Sequence, residues 1–214
     1  MPQTVWIARH ANRLDFVRPE WFNTAELRYD PPLSDDGLVQ AKLLAKRLEK
    51  EEIAHIFASP FLRTVQTANE VAEVLDLPVK LESGLSEFLN PEWFPAMPER
   101  LPFNALAKRF PRIDRNYVSA IVPEYPETDR ECLGRAGETA RRLAAEFPQD
   151  ILLVGHGASV IGMAMGLVAG LAETDIHAAL CCLVKVRRDG EQWTMELNGD
   201  TSHLNDSEAV LRFN

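Results

Sequence analysis

The chain has 214 residues, 46% of them hydrophobic, and a formal net charge of −9 at pH 7. That length is enough to bury one core, so a single domain over residues 1–214 is expected, and the acidic balance excludes a general binder of nucleic acid or of an anionic membrane. The longest apolar run, about 161–172, is too short to cross a bilayer, Met1–Thr4 has no basic leader character, and three cysteines with two adjacent make a poor disulfide set, which together point to a cytoplasmic protein.

Thr4–Ala8 reads as a short apolar strand ending at Arg9 and His10. A polar connection bearing Asp15, Trp21 and Tyr29 leads to Asp30-Pro31-Pro32. Ser34 is a good N-cap for a helix on which Leu38, Ala41, Leu44, Ala45 and Leu48 recur at helical spacing. Ile53–Ala58 reads as a buried strand. Ser59-Pro60 is expected to open the next helix, with serine as cap and proline at its first position, and Val65, Ala68, Val71, Ala72 and Leu75 on one face. Val79–Leu81 reads as a third strand.

From Phe88 to Thr128 the character changes, with seven of the 14 prolines and seven aromatic residues in one stretch. Such a stretch is no single regular element, and it is expected to pack over a site as a lid or specificity wall. A helix follows over about 130–147, then the apolar run Ile151–Val154, typical of a central parallel strand, broken at Gly155-His156-Gly157 into another helix. Two strand-like runs, 180–186 and 192–197, are split by Arg188-Asp189-Gly190, a hairpin signal. The expected fold class is α/β, a three-layer sandwich whose mostly parallel central sheet is flanked by helices, with the insertion as lid.

In open α/β sheets ligands bind beyond the carboxyl ends of the strands. Arg9 and His10 follow the first strand, Ser59 through Arg63 the second, Glu87 the third, and His156 the later one. Two arginines, two histidines and a carboxylate thus arrive at one edge. Phosphoryl transfer needs such a set, because its transition state spreads charge over three equatorial oxygens and is stabilised mainly by position and electrostatics. The arginine fork donates in pairs to phosphate oxygens, a neutral imidazole nitrogen can attack phosphorus, and a buried carboxylic acid can protonate the leaving alkoxide. Glu82 and Glu92 are neighbours open to the same acid role as Glu87. Neighbouring cations should keep His10 neutral.

Arg9-His10, the run Ala58-Ser59-Pro60-Phe61-Leu62-Arg63-Thr64-Val65-Gln66-Thr67-Ala68, Glu87 and Gly155-His156-Gly157 resemble the histidine phosphatase superfamily, also called phosphoglycerate-mutase-like, over nearly the whole chain. The resemblance implies that His10 is the nucleophile, that Arg9, Arg63 and His156 form the phosphate pocket, that Glu87 is the proton donor, and that no metal or organic cofactor is used. Arg13 and Gly84-Leu85-Ser86-Glu87-Phe88 resemble the branch of the T-cell ubiquitin ligand (suppressor of T-cell receptor signalling) phosphatases, which places Arg13 in the pocket as well. One departure is Ala11, where glycine usually follows the nucleophile. It is costly only if that position needs a positive φ.

The leading expectation is a phosphatase that hydrolyses a phosphomonoester through phosphohistidine, on a phosphorylated small molecule or a phosphopeptide. A phosphoglycerate-type mutase, a catalytically silent phospho-ligand-binding module and, more remotely, a metal-dependent phosphoesterase on His10 and His156 are the alternatives. His55 is expected to pack in a strand, His177 to sit in a loop, and His203 to serve a hydrogen-bonded turn. Cys132, Cys181 and Cys182 read as small hydrophobes, the charges of 46–52 as a solvated helix face, and the insertion's aromatics as its own small core ahead of a dedicated aryl-phosphate pocket. Composition leaves a homodimer open.

Overall fold

The computed structural model describes residues 2–204, so the expected domain of 1–214 extends past both ends of what is described. The chain begins with β1 (Gln3–Arg9), two one-turn helices α1 (Leu14–Val17) and α2 (Trp21–Thr24), then α3 (Asp35–Leu48), β2 (His55–Ala58), α4 (Leu62–Leu75) and β3 (Val79–Leu81). It continues through α5 (Phe103–Arg109), α6 (Asp129–Glu146), β4 (Ile151–Gly155), α7 (Gly157–Leu167), β5 (Leu183–Asp189) and β6 (Gln192–Asp200). Among the described residues six strands form one sheet in the order β3-β2-β4-β1-β5-β6. The first four run parallel, and the hairpin β5-β6 adds two antiparallel strands beside β1.

Alternation along β1 shows why helices cover both faces. Trp6 and Ala8 pack with α3 and α4 residues such as Leu44, Val65 and Ala68, while Val5 and Ile7 pack with α6 and α7 residues such as Ala140, Leu143 and Val160. Successive side chains of a strand point to opposite faces, so a continuously apolar strand needs a layer on each side. The three-layer α/β expectation describes this architecture.

Two helix starts are decided differently. Ser34 caps α3 as expected, its Oγ accepting from Gly37 N at 3.2 Å. α4, however, begins at Leu62 rather than at Ser59-Pro60, and its N-cap Phe61 makes no side-chain cap bond. The first amide of that helix is instead met by Asp30, whose Oδ1 accepts from Leu62 N at 2.7 Å. The capping carboxylate thus comes from 32 residues upstream, which local sequence does not show.

The insertion closes at its base, where Glu127 N donates to Leu89 O at 3.1 Å and Leu89 N donates to Glu127 Oε2 at 3.2 Å. Much of it runs along β3 rather than over the sheet edge that carries His10. Val79 N donates to Arg112 O, Asp114 N donates to Val79 O, and the amides of Ala120 and Ile121 donate to the buried Glu82 carboxylate, as does the Tyr117 hydroxyl. Glu82 is therefore fully engaged in anchoring the insertion and is no candidate for the acid role. Among the described residues no helix is long and apolar enough to cross a membrane.

Candidate active site

Adjacent parallel strands align the ends that matter. Arg9 of β1 pairs with Gly155 of β4, and Val154 of β4 with Ala58 of β2, so His10, His156 and Ser59 leave the sheet side by side. Arg63 is the second residue of α4, and Glu87 follows β3 after a short 3-10 turn, Ser83–Leu85. The structure thereby brings together the five residues expected on this edge.

His10 is 1% exposed. Its Nδ1 lies 2.8 Å from the Ala11 carbonyl, which can only accept, so the ring's proton sits on Nδ1 and Nε2 carries the lone pair. Burial, then the charges of Arg63, His156, Arg9 and Arg13, hold the His10 imidazole well below the usual histidine range, so it is neutral at pH 7. Ala11 has no positive φ; among the described residues that conformation belongs, outside glycine, to Asp76 and Cys181. The methyl group in place of the usual glycine hydrogen therefore carries no backbone strain.

One carboxylate oxygen organises the rest. Glu87 Oε2 lies 3.1 Å from Arg63 Nη2 and 3.3 Å from His156 Nδ1, while His156 Nε2 lies 2.8 Å from Ser59 Oγ. Arg63 Nη2 also lies 3.2 Å from His156 Nδ1, so Nδ1 meets both a guanidinium donor and a carboxylate acceptor, while the Ser59 hydroxyl, able to donate or accept, meets Nε2 in either tautomer. Burial lowers the His156 pKa to about 4, against the opposing pull of Glu87. Burial also works to raise the Glu87 carboxyl, but His156 and Arg63 outweigh it and hold the group well below the carboxylate range. Glu87 is consequently ionised when the site is empty, which differs from a carboxyl that keeps its proton through burial. Arg63 is 1% exposed, burial brings its pKa down to about 10, and its Nε and Nη1 have no hydrogen-bond partner.

Arg9 is also buried and donates from Nη1 to Ala178 O at 2.7 Å. Arg13 is turned onto Asp15, with Nε–Oδ1 at 3.0 Å and Nη2–Oδ2 at 2.5 Å, and its guanidinium lies 4.4 Å from the Phe16 ring centre. It lines the cleft but is already paired.

Several positioning residues carry no signal in the sequence because their partners are remote. Asn12, two residues after His10, accepts on its carbonyl from Ser34 N and donates from Nδ2 to Asp36, so the start of α3 clamps it. Asp30 ties the start of α4 to Leu101 of the insertion. Arg135, paired in the interior with Glu127, donates to the carbonyls of Gly84, Ser86 and Glu87 and so fixes the segment that delivers Glu87.

The site opens into a cleft of about 690 Å³. Arg9, Arg13 and Glu87 face it, Phe16, Phe22 and Tyr29 wall it from the segment after β1, and Phe88, Trp93 and Phe94 from the start of the insertion. The insertion's aromatics are thus divided: Tyr117 and Tyr125 are bonded to Glu82 and to the Phe94 carbonyl, whereas Phe88, Trp93 and Phe94 line the cleft. Phe16 and Phe22 belong to a segment read only as a connection.

His10, Glu87 and His156 each offer a ligand atom within 4.8 Å of one another, the arrangement a metal ion would use. Arg63 already sits on the same carboxylate oxygen and Arg9 is close by, so a divalent cation there would meet guanidinium repulsion. The other histidines lie apart from this set. His55 rests against Phe147, the His177 amide donates to Asn198, and His203 Nε2 lies 3.0 Å from the Cys181 carbonyl in its turn. All three cysteines are free and buried, and burial raises the thiols of Cys132 and Cys182 to about 12 and about 11, which keeps them inert.

Comparison with known proteins agrees with this geometry. A family profile described as the histidine phosphatase superfamily (branch 1) matches residues 5–201. The transcription factor tau 55 kDa subunit of Saccharomyces cerevisiae is 35% identical over 179 residues, covering 77% of this chain but 41% of that protein. The chain thus spans less than half of that relative's length. A probable phosphoglycerate mutase, GpmB, of Yersinia pestis is 31% identical over 189 residues, covering 82% and 84%. Among solved structures, an ecdysone phosphate phosphatase from Bombix mori, crystallised with tungstate, superposes with a TM-score of 0.77 at 20% identity, covering 99% and 98%, a likeness of fold.

Proposed function

The chain belongs to the histidine phosphatase superfamily, and on that premise we propose that it is a phosphomonoesterase acting through a covalent phosphohistidine on His10. The observation that carries the reading is the fixed tautomer of His10. With its proton held on Nδ1 by the Ala11 carbonyl, the lone pair of Nε2 is available to phosphorus in a site ringed by cations.

In this reading the phosphoryl oxygens take the two unpartnered donors of Arg63 and the charge of Arg9, while His156 adds a neutral donor. Nε2 bonds to phosphorus as the ester P–O bond breaks, and the leaving oxygen receives a proton from Glu87. The resting carboxylate acquires that proton only with substrate. A bound phosphoryl group brings negative charge and draws Arg63 away from Glu87, and both effects raise the carboxyl pKa. Glu87 then takes a proton from water, the hydroxide attacks phosphorus, the N–P bond breaks, and inorganic phosphate leaves. Arg13 can join only by exchanging Asp15 for phosphate, so we assign it a supporting part. The site as described asks for no metal: the charge a metal would supply comes from guanidinium groups.

Release of phosphate from p-nitrophenyl phosphate is the test. Expected are hydrolysis undiminished in excess EDTA, inhibition by vanadate, 32P or mass labelling of His10 on rapid acid quench, and loss of at least 1000-fold in His10→Ala. The 31% identity to a probable phosphoglycerate mutase favours one other reading, return of the phosphoryl group to the same small acid. Fast isomerisation of 3-phosphoglycerate with negligible hydrolysis would establish it instead.

A further inference from the structure

The cleft above the catalytic groups is larger and more apolar than a phosphoglycerate or a single phenyl ring needs. At about 690 Å³ it lies within the range of roughly 300–1,000 Å³ that encloses drug-sized ligands. Its wall is continuous across two segments distant in sequence. Tyr29 packs edge-on against Phe94 with ring centres 5.2 Å apart, and Phe88 packs edge-on against Trp93 at 5.4 Å. Trp93 is nonetheless 56% exposed, a large apolar surface at the cleft mouth of the kind that a ligand covers.

The charges are as uneven as the shape. Of the residues lining the cleft, the cations are Arg9 and Arg13, both beside the catalytic groups, while Asp129 and Glu173 stand exposed at its rim. A second phosphate or a carboxylate at the far end of a substrate would meet these two carboxylates, within a chain of net charge −9, with Arg28 set over the Phe22 ring rather than among the lining residues.

Resting on the phosphatase reading, we infer that this site selects phosphomonoesters of bulky, multi-ring apolar alcohols or phenols whose far end is uncharged or cationic. Trp93, Phe88 and Tyr29 are the specificity-determining wall, and Glu173 and Asp129 reject anionic tails. Nucleotides, sugar bisphosphates and phosphoglycerate are disfavoured on both counts. An isolated phosphotyrosine leaves most of the wall uncovered.

Steady-state rates on phenyl, 4-biphenylyl and 4-carboxyphenyl phosphate, with 3-phosphoglycerate and a neutral phosphotyrosine tripeptide, test this. The expected result is a kcat/KM at least 10-fold higher for the biphenylyl than for the phenyl ester, carried by KM, with 4-carboxyphenyl phosphate and 3-phosphoglycerate below phenyl. In Trp93→Ala the biphenylyl-to-phenyl ratio falls at least 5-fold. In Glu173→Lys the 4-carboxyphenyl-to-phenyl ratio rises at least 3-fold at low salt, and 0.5 M salt erases the gain. Equal rates on the phenyl and biphenylyl esters, or a best rate on 3-phosphoglycerate or the peptide, overturn the inference while leaving hydrolysis intact. Failure to release phosphate from any ester overturns the phosphatase reading itself.

Discussion

His156 reaches Glu87 through one ring nitrogen and Ser59 through the other, in a place where its charged form is strongly disfavoured. Such a histidine has a consequence for stability. Above pH 6.5 it is neutral in both folded and unfolded states and contributes nothing to the pH dependence. Between pH 6.5 and about 4 the unfolded chain binds the proton and the folded one does not, so stability falls as pH falls. Glu87 acts lower, because its depressed carboxyl favours folding above the usual carboxylate range, and that contribution is lost only as pH falls toward its folded value. Urea unfolding at pH 7.5 and pH 5.0 should therefore show a loss to which His156 adds on the order of 1–2 kcal/mol, and His156→Gln should remove that share. An unchanged pH difference in the variant would refute the buried neutral histidine. At this scale the sequence named the chemical groups but left Glu87 in competition with Glu82 and Glu92. The choice came from tertiary contacts, since Glu82 is consumed by Tyr117 and the amides of Ala120 and Ile121, Glu92 is exposed, and Glu87 sits on Arg63 and His156.

At the scale of elements, α3 owes its place at the site to one small residue. A Cβ built on Gly37 would lie 2.1 Å from the Asn12 carbonyl oxygen, which itself accepts from Ser34 N. Gly37→Ala must push the helix start and the segment that carries His10 apart. Overpacking of this kind costs about 1–3 kcal/mol, and kcat should fall with it because Asn12 lies two residues from His10. A thermal melt together with p-nitrophenyl phosphate turnover checks both, and a variant of wild-type stability and rate would show that the contact relaxes freely. A second support crosses elements: Arg135 of α6 holds three carbonyls in the Gly84–Glu87 segment and is neutralised by Glu127. Removing one partner of a buried ion pair leaves the other charge uncompensated, at about 3–5 kcal/mol. Arg135→Leu should therefore unfold at markedly lower urea concentration, and Arg135→Leu/Glu127→Leu should recover part of the loss. Helical periodicity and the Ser34 cap were readable without a structure, since both depend on residues within one turn. The expected cap at Ser59 was not realised, because that hydroxyl is taken by His156 and the amide at the helix start by Asp30.

Across the whole molecule, an acidic chain concentrates Arg9, Arg13 and Arg63 at the end of a parallel sheet, with the short-range connections supplied by strands whose order is not their order in sequence. The alternation of strand and helix, the central apolar strand Ile151–Val154, the closing hairpin and the residue types at the sheet edge were determined by the sequence alone, because each depends on periodicity, on capping or on a motif carried by contiguous residues. Only the tertiary structure decided which carboxylate meets Arg63, how much of the insertion lines the sheet edge and how much walls the cleft, and that Phe16, Phe22 and Tyr29 belong to the same wall as Phe88, Trp93 and Phe94. Those outcomes depend on contacts between segments tens of residues apart. Local propensity does not encode such contacts; burial and the need to satisfy every enclosed polar group select them.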